Sequence, residues 1–191
     1  MSKVFFCSDT HFAHARIIQY CNRPFRDVLE MNNKLIENWN SVVSKDDVVY
    51  HLGDFHLGSH RGAQYFMDSL NFKFLHLVKG NHDKSFCEWY KRNNPQNCML
   101  HDSYLETKIE GHDFTLCHYA MRVFNKSHHG AYHLYGHSHG TLEDDPNSLS
   151  FDVGVDCHNY TPISLEQVKD IMSRKKFKPV DKHKGVDDDC S

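Results

Sequence analysis

A chain of 191 residues is long enough for one domain with a substantial core. Hydrophobic content of 39%, charged content of 25% and a formal net charge of −3 are globular values that call for neither a nucleic-acid nor a membrane partner. No apolar run of about 18 residues is present to cross a membrane, and Met1–Asp9 leads straight into a strand pattern rather than a signal peptide, so a cytoplasmic protein is expected.

In chain order, the first strand is expected at VFFCS, residues 4–8, and His11–Tyr20 opens the first crossover, with Asn22-Arg23-Pro24-Phe25 as a turn. A helix is predicted from Asp27, its N-terminal cap, to about Ser44, because Val28, Met31, Leu35, Trp39 and Val42 recur on one face. A strand over Val48–Asp54, a helix over Gly62–Leu70, a strand over Phe74–Val78 and a short helix over Phe86–Arg92 follow, before Pro95 interrupts the chain. The second half reads as consecutive strands at Ser103–Glu110, Asp113–Tyr119, His133–Gly136 and Ser150–Val155, with a hairpin turn at Glu110-Gly111-His112-Asp113. Ser164 and Gln167 form a capping box for a last helix over Ser164–Ser173. The domain is therefore bounded at residues 1–175, with 176–191 as a charged, disordered tail. Periodicity by itself gives mixed α and β structure.

Seven scattered cysteines without a C-x-x-C pair point to reduced thiols, with Cys7 and Cys117 as small hydrophobes on core strands. Seventeen histidines are the outlier, and His128, His129, His133, His158 and His183 fall outside any pattern. The others matter because of where they stand. Asp9-Thr10-His11, Gly53-Asp54, Gly80-Asn81-His82-Asp83, His118 and Gly136-His137-Ser138-His139 each follow an apolar run of strand character. Packing would bury aliphatics at these places. Convergence on a metal centre accounts for Asp, Asn and His there, with Asp54 as the natural bridge between two ions and Asn81 as a neutral oxygen ligand. Mixed oxygen and imidazole ligation without thiolate suits Mn, Fe, Co, Ni or Zn.

That order and those spacings resemble the calcineurin-like metallophosphoesterase superfamily, over about residues 2–170. The segments Ser8–His14, Arg23–Phe25, Glu30–Asn32 and Asn38–Asn40 look like its small phosphodiesterase-like bacterial and phage subgroup, so a phage-encoded origin is open. The resemblance implies a four-layer αββα sandwich of two mixed sheets flanked by helices. It implies a first metal held by Asp9, His11, Asp54 and His139, and a second by Asp54, Asn81, His118 and His137, with manganese favoured. His82 is then the general acid or transition-state stabiliser, and Asp83 its orienter or the cap of the next helix. Leu57 departs from the phosphoprotein phosphatase branch, which carries Asp there, and Asp83 departs from that branch's Glu. Hydrolysis of phosphodiesters by a hydroxide bridging two metals is the implied activity, on cyclic nucleotides, 2′,3′-cyclic ends or oligonucleotides. A phosphomonoesterase or nucleotide pyrophosphohydrolase is the alternative, and a metal-retaining, non-catalytic binding scaffold is the alternative of another class. His14, Arg23, Arg26 and His56 are candidate substrate contacts, the arginines because a guanidinium matches two phosphate oxygens. The expected partner is a phosphate-ester substrate, a nucleotide or a nucleic-acid end, and no membrane. Oligomeric state is not legible.

Overall fold

The computed structural model describes residues 2–181. Strands β1 (Val4–Cys7), β2 (Val48–His51), β3 (Phe74–Val78) and β4 (Cys98–His101) alternate with helices α1 (Ile17–Tyr20), α2 (Val28–Val42), α3 (His60–Ser69) and α4 (Lys84–Asn93). Strands β5 (Tyr104–Ile109), β6 (His112–Cys117), β7 (Tyr132–Tyr135), β8 (Ser150–Asp152) and β9 (Ile163–Ser164) follow, and α5 (Leu165–Ser173) ends the domain. One sheet has the order β4-β3-β2-β1-β9 and the other β5-β6-β7-β8. In the first, β1 to β4 are parallel and β9 antiparallel; in the second, β5 is antiparallel to β6 while β6, β7 and β8 are parallel. The expected class, two mixed sheets flanked by helices, is the observed one.

The two-residue period of the strands sorts side chains into two cores. Phe5, Cys7, Val49, Leu75 and Leu77 point to the helices, where they meet Met31, Leu35 and Trp39 of α2, Phe66 of α3 and Phe86 and Trp89 of α4. Phe6, Tyr50 and Val78 point the other way, onto Phe114, Leu116 and Leu134 of the second sheet and Val168 and Met172 of α5. Phe6, fully buried, stacks on Tyr50 and Phe114 with both centroid distances 5.5 Å. Behind the second sheet, buried His133 accepts the Met121 N–H (3.0 Å) and donates to Thr115 O (3.0 Å), pinning the loop after β6. This histidine, outside the strand-end pattern, is structural.

Asp27 caps α2 through the Leu29 and Glu30 N–H groups, and Ser164 and Gln167 form the expected capping box. The β5–β6 turn turns on Glu110 and Gly111, both at positive φ, as a two-residue hairpin loop requires. One face assignment needs correction. Val43, not Val42, is buried, because the chain leaves the helix at Val43 and rotates that side chain inward. Strands β4 and β9 were not expected; each is a sheet edge, short, and recognisable only by its neighbour. Of the expected tail, Lys176 and Lys178 donate backbone hydrogen bonds to Pro146 and Asn147 (2.8 and 2.7 Å), and residues 182–191 lie outside the described residues.

All seven parallel strands aim their carboxyl ends at one edge of the sandwich, so the segments after β1, β2, β3, β6 and β7 meet there. Phe6→Ala should leave a void between the sheets and cost about 3–5 kcal/mol of stability. Urea unfolding followed by circular dichroism measures it, and a loss under about 1 kcal/mol would mean the sheets close over the gap.

Candidate metal centre

The loops are cross-linked before any side chain is considered. Asp9 N–H donates to Gly53 O (3.0 Å), His11 N–H to Asp54 O (2.9 Å) and Gly136 N–H to His118 O (3.1 Å). Asp9, His11, Asp54, His137 and His139 all adopt positive φ. Such backbone costs on the order of 1–3 kcal/mol per non-glycine residue and persists only where the surroundings over-determine it. Five strained residues at one edge, all with ligand-type side chains, mark a site rather than a packing accident. Two motif glycines are explained by close approach. A Cβ on Gly80 would overlap Asp54 Oδ1, and one on Gly136 would overlap Asp9 Oδ2.

The side chains form two groups. Asp9, His11 and His139 bring one ligand atom each within 4.8 Å of one another, as do Asp54, His118 and His137. Asp54 belongs to both by distance: its Oδ2 lies 3.5 Å from His11 Nε2 and 3.4 Å from His118 Nε2. Each carboxylate is held by one oxygen and presents the other. Asp9 Oδ2 accepts the His137 N–H (2.9 Å), while Oδ1 faces His11 and His139, each at 3.9 Å. Asp54 Oδ1 accepts the His82 N–H (2.8 Å), which leaves Oδ2 inward. Asn81 joins the second group through Oδ1, 3.1 Å from His118 Nε2.

The imidazoles are aimed by what holds their other nitrogen. His118 Nδ1 donates to Leu52 O (2.8 Å) and His139 Nδ1 to Asp156 Oδ2 (2.7 Å), so both turn Nε2 to the centre. Asp9 Oδ1 and His11 Nε2 are buried without a hydrogen-bond partner. Burial pushes Asp9 up to about 7, with His118 and His139 opposing, and pushes His11 down to about 2. Burial also acts to raise Asp54, but the hydrogen bond and charge of His118 hold it below the usual carboxylate range. Burial lowers His139, and the Asp156 hydrogen bond overrides it, lifting the imidazole to about 10. Buried carboxylate and imidazole atoms that converge without a hydrogen-bond partner are what a cation satisfies. The residues fit two divalent ions.

Asp156 was not foreseen. Arg23 Nε and Nη2 grip both its oxygens (2.8 Å each), while Arg23 also donates to Asp9 O (2.7 Å) and Thr10 O (3.1 Å). Arg23 is buried, so the expectation of a substrate contact is corrected: it clamps the Asp9 loop to the carboxylate behind His139. Arg26 is also corrected, being exposed, paired with Asp27 and outside the cleft. His56 is buried beside Ser85 (3.3 Å), likewise outside the cleft, and burial lowers it to about 4. Asp83 neither bonds His82 nor caps α4 with its side chain. Its buried carboxylate accepts the N–H groups of Gly80 and Asp54 (2.8 Å each) and Phe55 (2.9 Å), tying the β3 loop to the β2 loop.

The ligand groups open into a cleft of about 560 Å³ lined also by His14, Ala15, Arg16, Ile17, Tyr20, Leu57 and His82. The His14 ring lies 5.2 Å from that of His11, and His82 is exposed with its ring 5.6 Å from His11. Arg16 and Tyr20 were not singled out in the sequence, because an arginine and a tyrosine in a turn carry no signature. Tyr119, also unforeseen, donates to Asn81 Oδ1 (3.3 Å) and packs its ring 4.7 Å from His137.

Comparison with known proteins agrees with this geometry. The family model described as "Calcineurin-like phosphoesterase superfamily domain" matches residues 2–154. An uncharacterized protein of Methanocaldococcus jannaschii, MJ1445, is 34% identical over 183 residues, covering 92% of this chain and 94% of its own. The gene 66 protein of Mycobacterium phage L5 is 38% identical over 85 residues, 44% of this chain and 41% of its own. The crystal structure of AQ665, a protein of unknown function from Aquifex aeolicus, is similar in fold, with a TM-score of 0.67 at 21% identity over 90% of this chain and all of that one.

Asp156→Asn keeps the shape beside His139 but removes the charge that raises its basicity. Such partners are worth about 10–100-fold in metal affinity. Titration of metal-stripped protein with a divalent transition metal should show weaker binding than in the wild type, and unchanged affinity would return Asp156 to a purely structural place.

Proposed function

The chain belongs to the calcineurin-like phosphoesterase superfamily, and from that premise we propose that it hydrolyses phosphodiesters with two bound transition-metal ions, manganese favoured. The family is metal-dependent and acts on phosphate esters. The observation that carries the two-ion reading is Asp54 Oδ2, near-equidistant from His11 Nε2 and His118 Nε2. Asp9, His11, Asp54 and His139 would hold one ion, and Asp54, Asn81, His118 and His137 the other. Ions so held supply an acidified water and neutralise charge on the phosphoryl oxygens.

The chain's own residues supply the rest. Arg23 and Asp83 are positioning residues that hold the Asp9 and Asp54 loops. His82 is fixed through its N–H on Asp54 Oδ1, with its ring free in the cleft. As the new bond from water to phosphorus forms, the ester P–O bond breaks, and His82 gives its proton to the departing oxygen. His14, beside His11 and His82, is suited to contact a phosphoryl oxygen. The cleft volume and its apolar side at Ile17 and Leu57 favour a diester, which has two substituents to house, over a bare phosphomonoester. Bis(p-nitrophenyl) phosphate should therefore turn over faster than p-nitrophenyl phosphate. The binding-scaffold reading is disfavoured because His11, Asp54, Asn81, His137, His139 and His82 line one cleft, and it would prevail if metal-loaded protein turned over neither.

Asp54→Asn should disturb both ions, whereas His137→Ala should weaken mainly one. Elemental analysis of the purified variants checks this, and two full equivalents in Asp54→Asn with normal turnover would remove Asp54 from the bridge. General acid catalysis is typically worth about 10²–10⁴-fold. His82→Ala should keep both metals and lose that factor on a nucleoside diester, yet much less on bis(p-nitrophenyl) phosphate, whose leaving group departs unprotonated. Equal losses would assign His82 to charge stabilisation instead.

A further inference from the structure

We infer that the substrate is a nucleoside carrying a phosphate beyond the scissile one, the base resting against Tyr20 and that second phosphate against Arg16. This rests on the phosphoesterase reading and narrows it, since a cyclic mononucleotide has no second phosphate.

Three arginines stand near the start of the chain, and only one is unspent. Arg23 is consumed by Asp156 and two carbonyls, and Arg26 by Asp27. Arg16 lines the cleft, exposed, and its guanidinium makes no hydrogen bond or ion pair among the described residues. The other exposed cleft groups are largely imidazoles, so a cation there has no protein anion to answer. A phosphate oxygen pair matches its fork. A metal pair already neutralises the scissile phosphate, which leaves Arg16 for another.

Tyr20 is 68% exposed, a high value for an aromatic beside a deep cleft. Its ring stands edge-on to His14 with centroids 6.2 Å apart, and it borders the apolar side at Ile17 and Leu57. Aromatic faces of this kind stack bases without regard to sequence. Arg16 is the N-terminal flanking residue of α1, in helical backbone, and Tyr20 is four residues on. Residues so spaced are neighbours on one helix face. One ligand touching Tyr20 therefore meets Arg16 while its scissile phosphate reaches the metal ligands.

An oligonucleotide end and a dinucleoside polyphosphate share this chemistry. Calorimetric binding to the Mn²⁺-loaded protein, with turnover measured in parallel, distinguishes them using the dinucleotide ApA, its 5′-phosphorylated form pApA, and diadenosine tetraphosphate. The wild type should bind pApA about tenfold or more tighter than ApA, a preference that Arg16→Ala collapses to within about twofold and Arg26→Ala retains. Tyr20→Ala should weaken both dinucleotides about five- to hundredfold, with Tyr20→Phe restoring them. Tighter binding of diadenosine tetraphosphate than of pApA, with the same Arg16 dependence, selects the polyphosphate source and keeps the inference. Equal affinity of the wild type for ApA and pApA, or an Arg16→Ala protein that keeps the preference, overturns it. So does a 2′,3′-cyclic nucleotide bound more tightly than both phosphorylated ligands. If the wild type hydrolyses no phosphodiester, the phosphodiesterase reading fails separately, and the binding ratios still decide the subsite.

Discussion

Everything at the site depends on how two buried carboxylates are divided between backbone and centre. Asp9 gives one oxygen to the His137 N–H, and Asp54 gives one to the His82 N–H, and both donors belong to loops that carry other candidate ligands. Each remaining oxygen, itself buried, faces imidazole nitrogens. Without a cation, burial penalises the Asp9 charge and leaves His11 neutral, with partnerless atoms on both. The fold thus concentrates electrostatic cost at one place, and a divalent ion is the group that relieves it.

Backbone strain and loop cross-links belong to the same arrangement. Aspartate and histidine tolerate the left-handed region better than branched residues, but five together require support. That support is visible: Asp83 accepts three N–H groups from two loops, and Arg23 grips carbonyls of the Asp9 loop while holding Asp156 behind His139. Gly80 and Gly136 let backbones approach where a methyl group would collide with the ligand carboxylates. Loops cross-linked in this way hold the candidate ligands in a fixed arrangement, and such preorganisation suits charge stabilisation.

The cleft brings three kinds of side chain together. It is lined by candidate ligands, by the His14 and His82 imidazoles, and by Ile17, Leu57, Arg16 and Tyr20. Leu57, where the phosphoprotein phosphatase branch carries an aspartate, adds apolar surface rather than a charge.

Much of this was legible in the chain. Strand-end Asp, Asn and His residues in fixed order named the candidate ligands, because packing has no use for them and their spacing survives folding. Asp27 and the Ser164–Gln167 pair announced their helices because capping is local. The charged residues Arg23, Asp83 and Asp156 were misread or missed, since a carboxylate or guanidinium looks the same in sequence whether it meets solvent, substrate or a buried N–H. Asp156 stands 133 residues from Arg23 and 17 from His139, and only the meeting of β1, β7 and β8 at one edge makes them a unit. Edge strands β4 and β9 were invisible for the same reason: their identity lies in a neighbour's hydrogen bonds. Local patterns determined which residues are the candidates for chemistry, and long-range contacts decided which residues hold them in place.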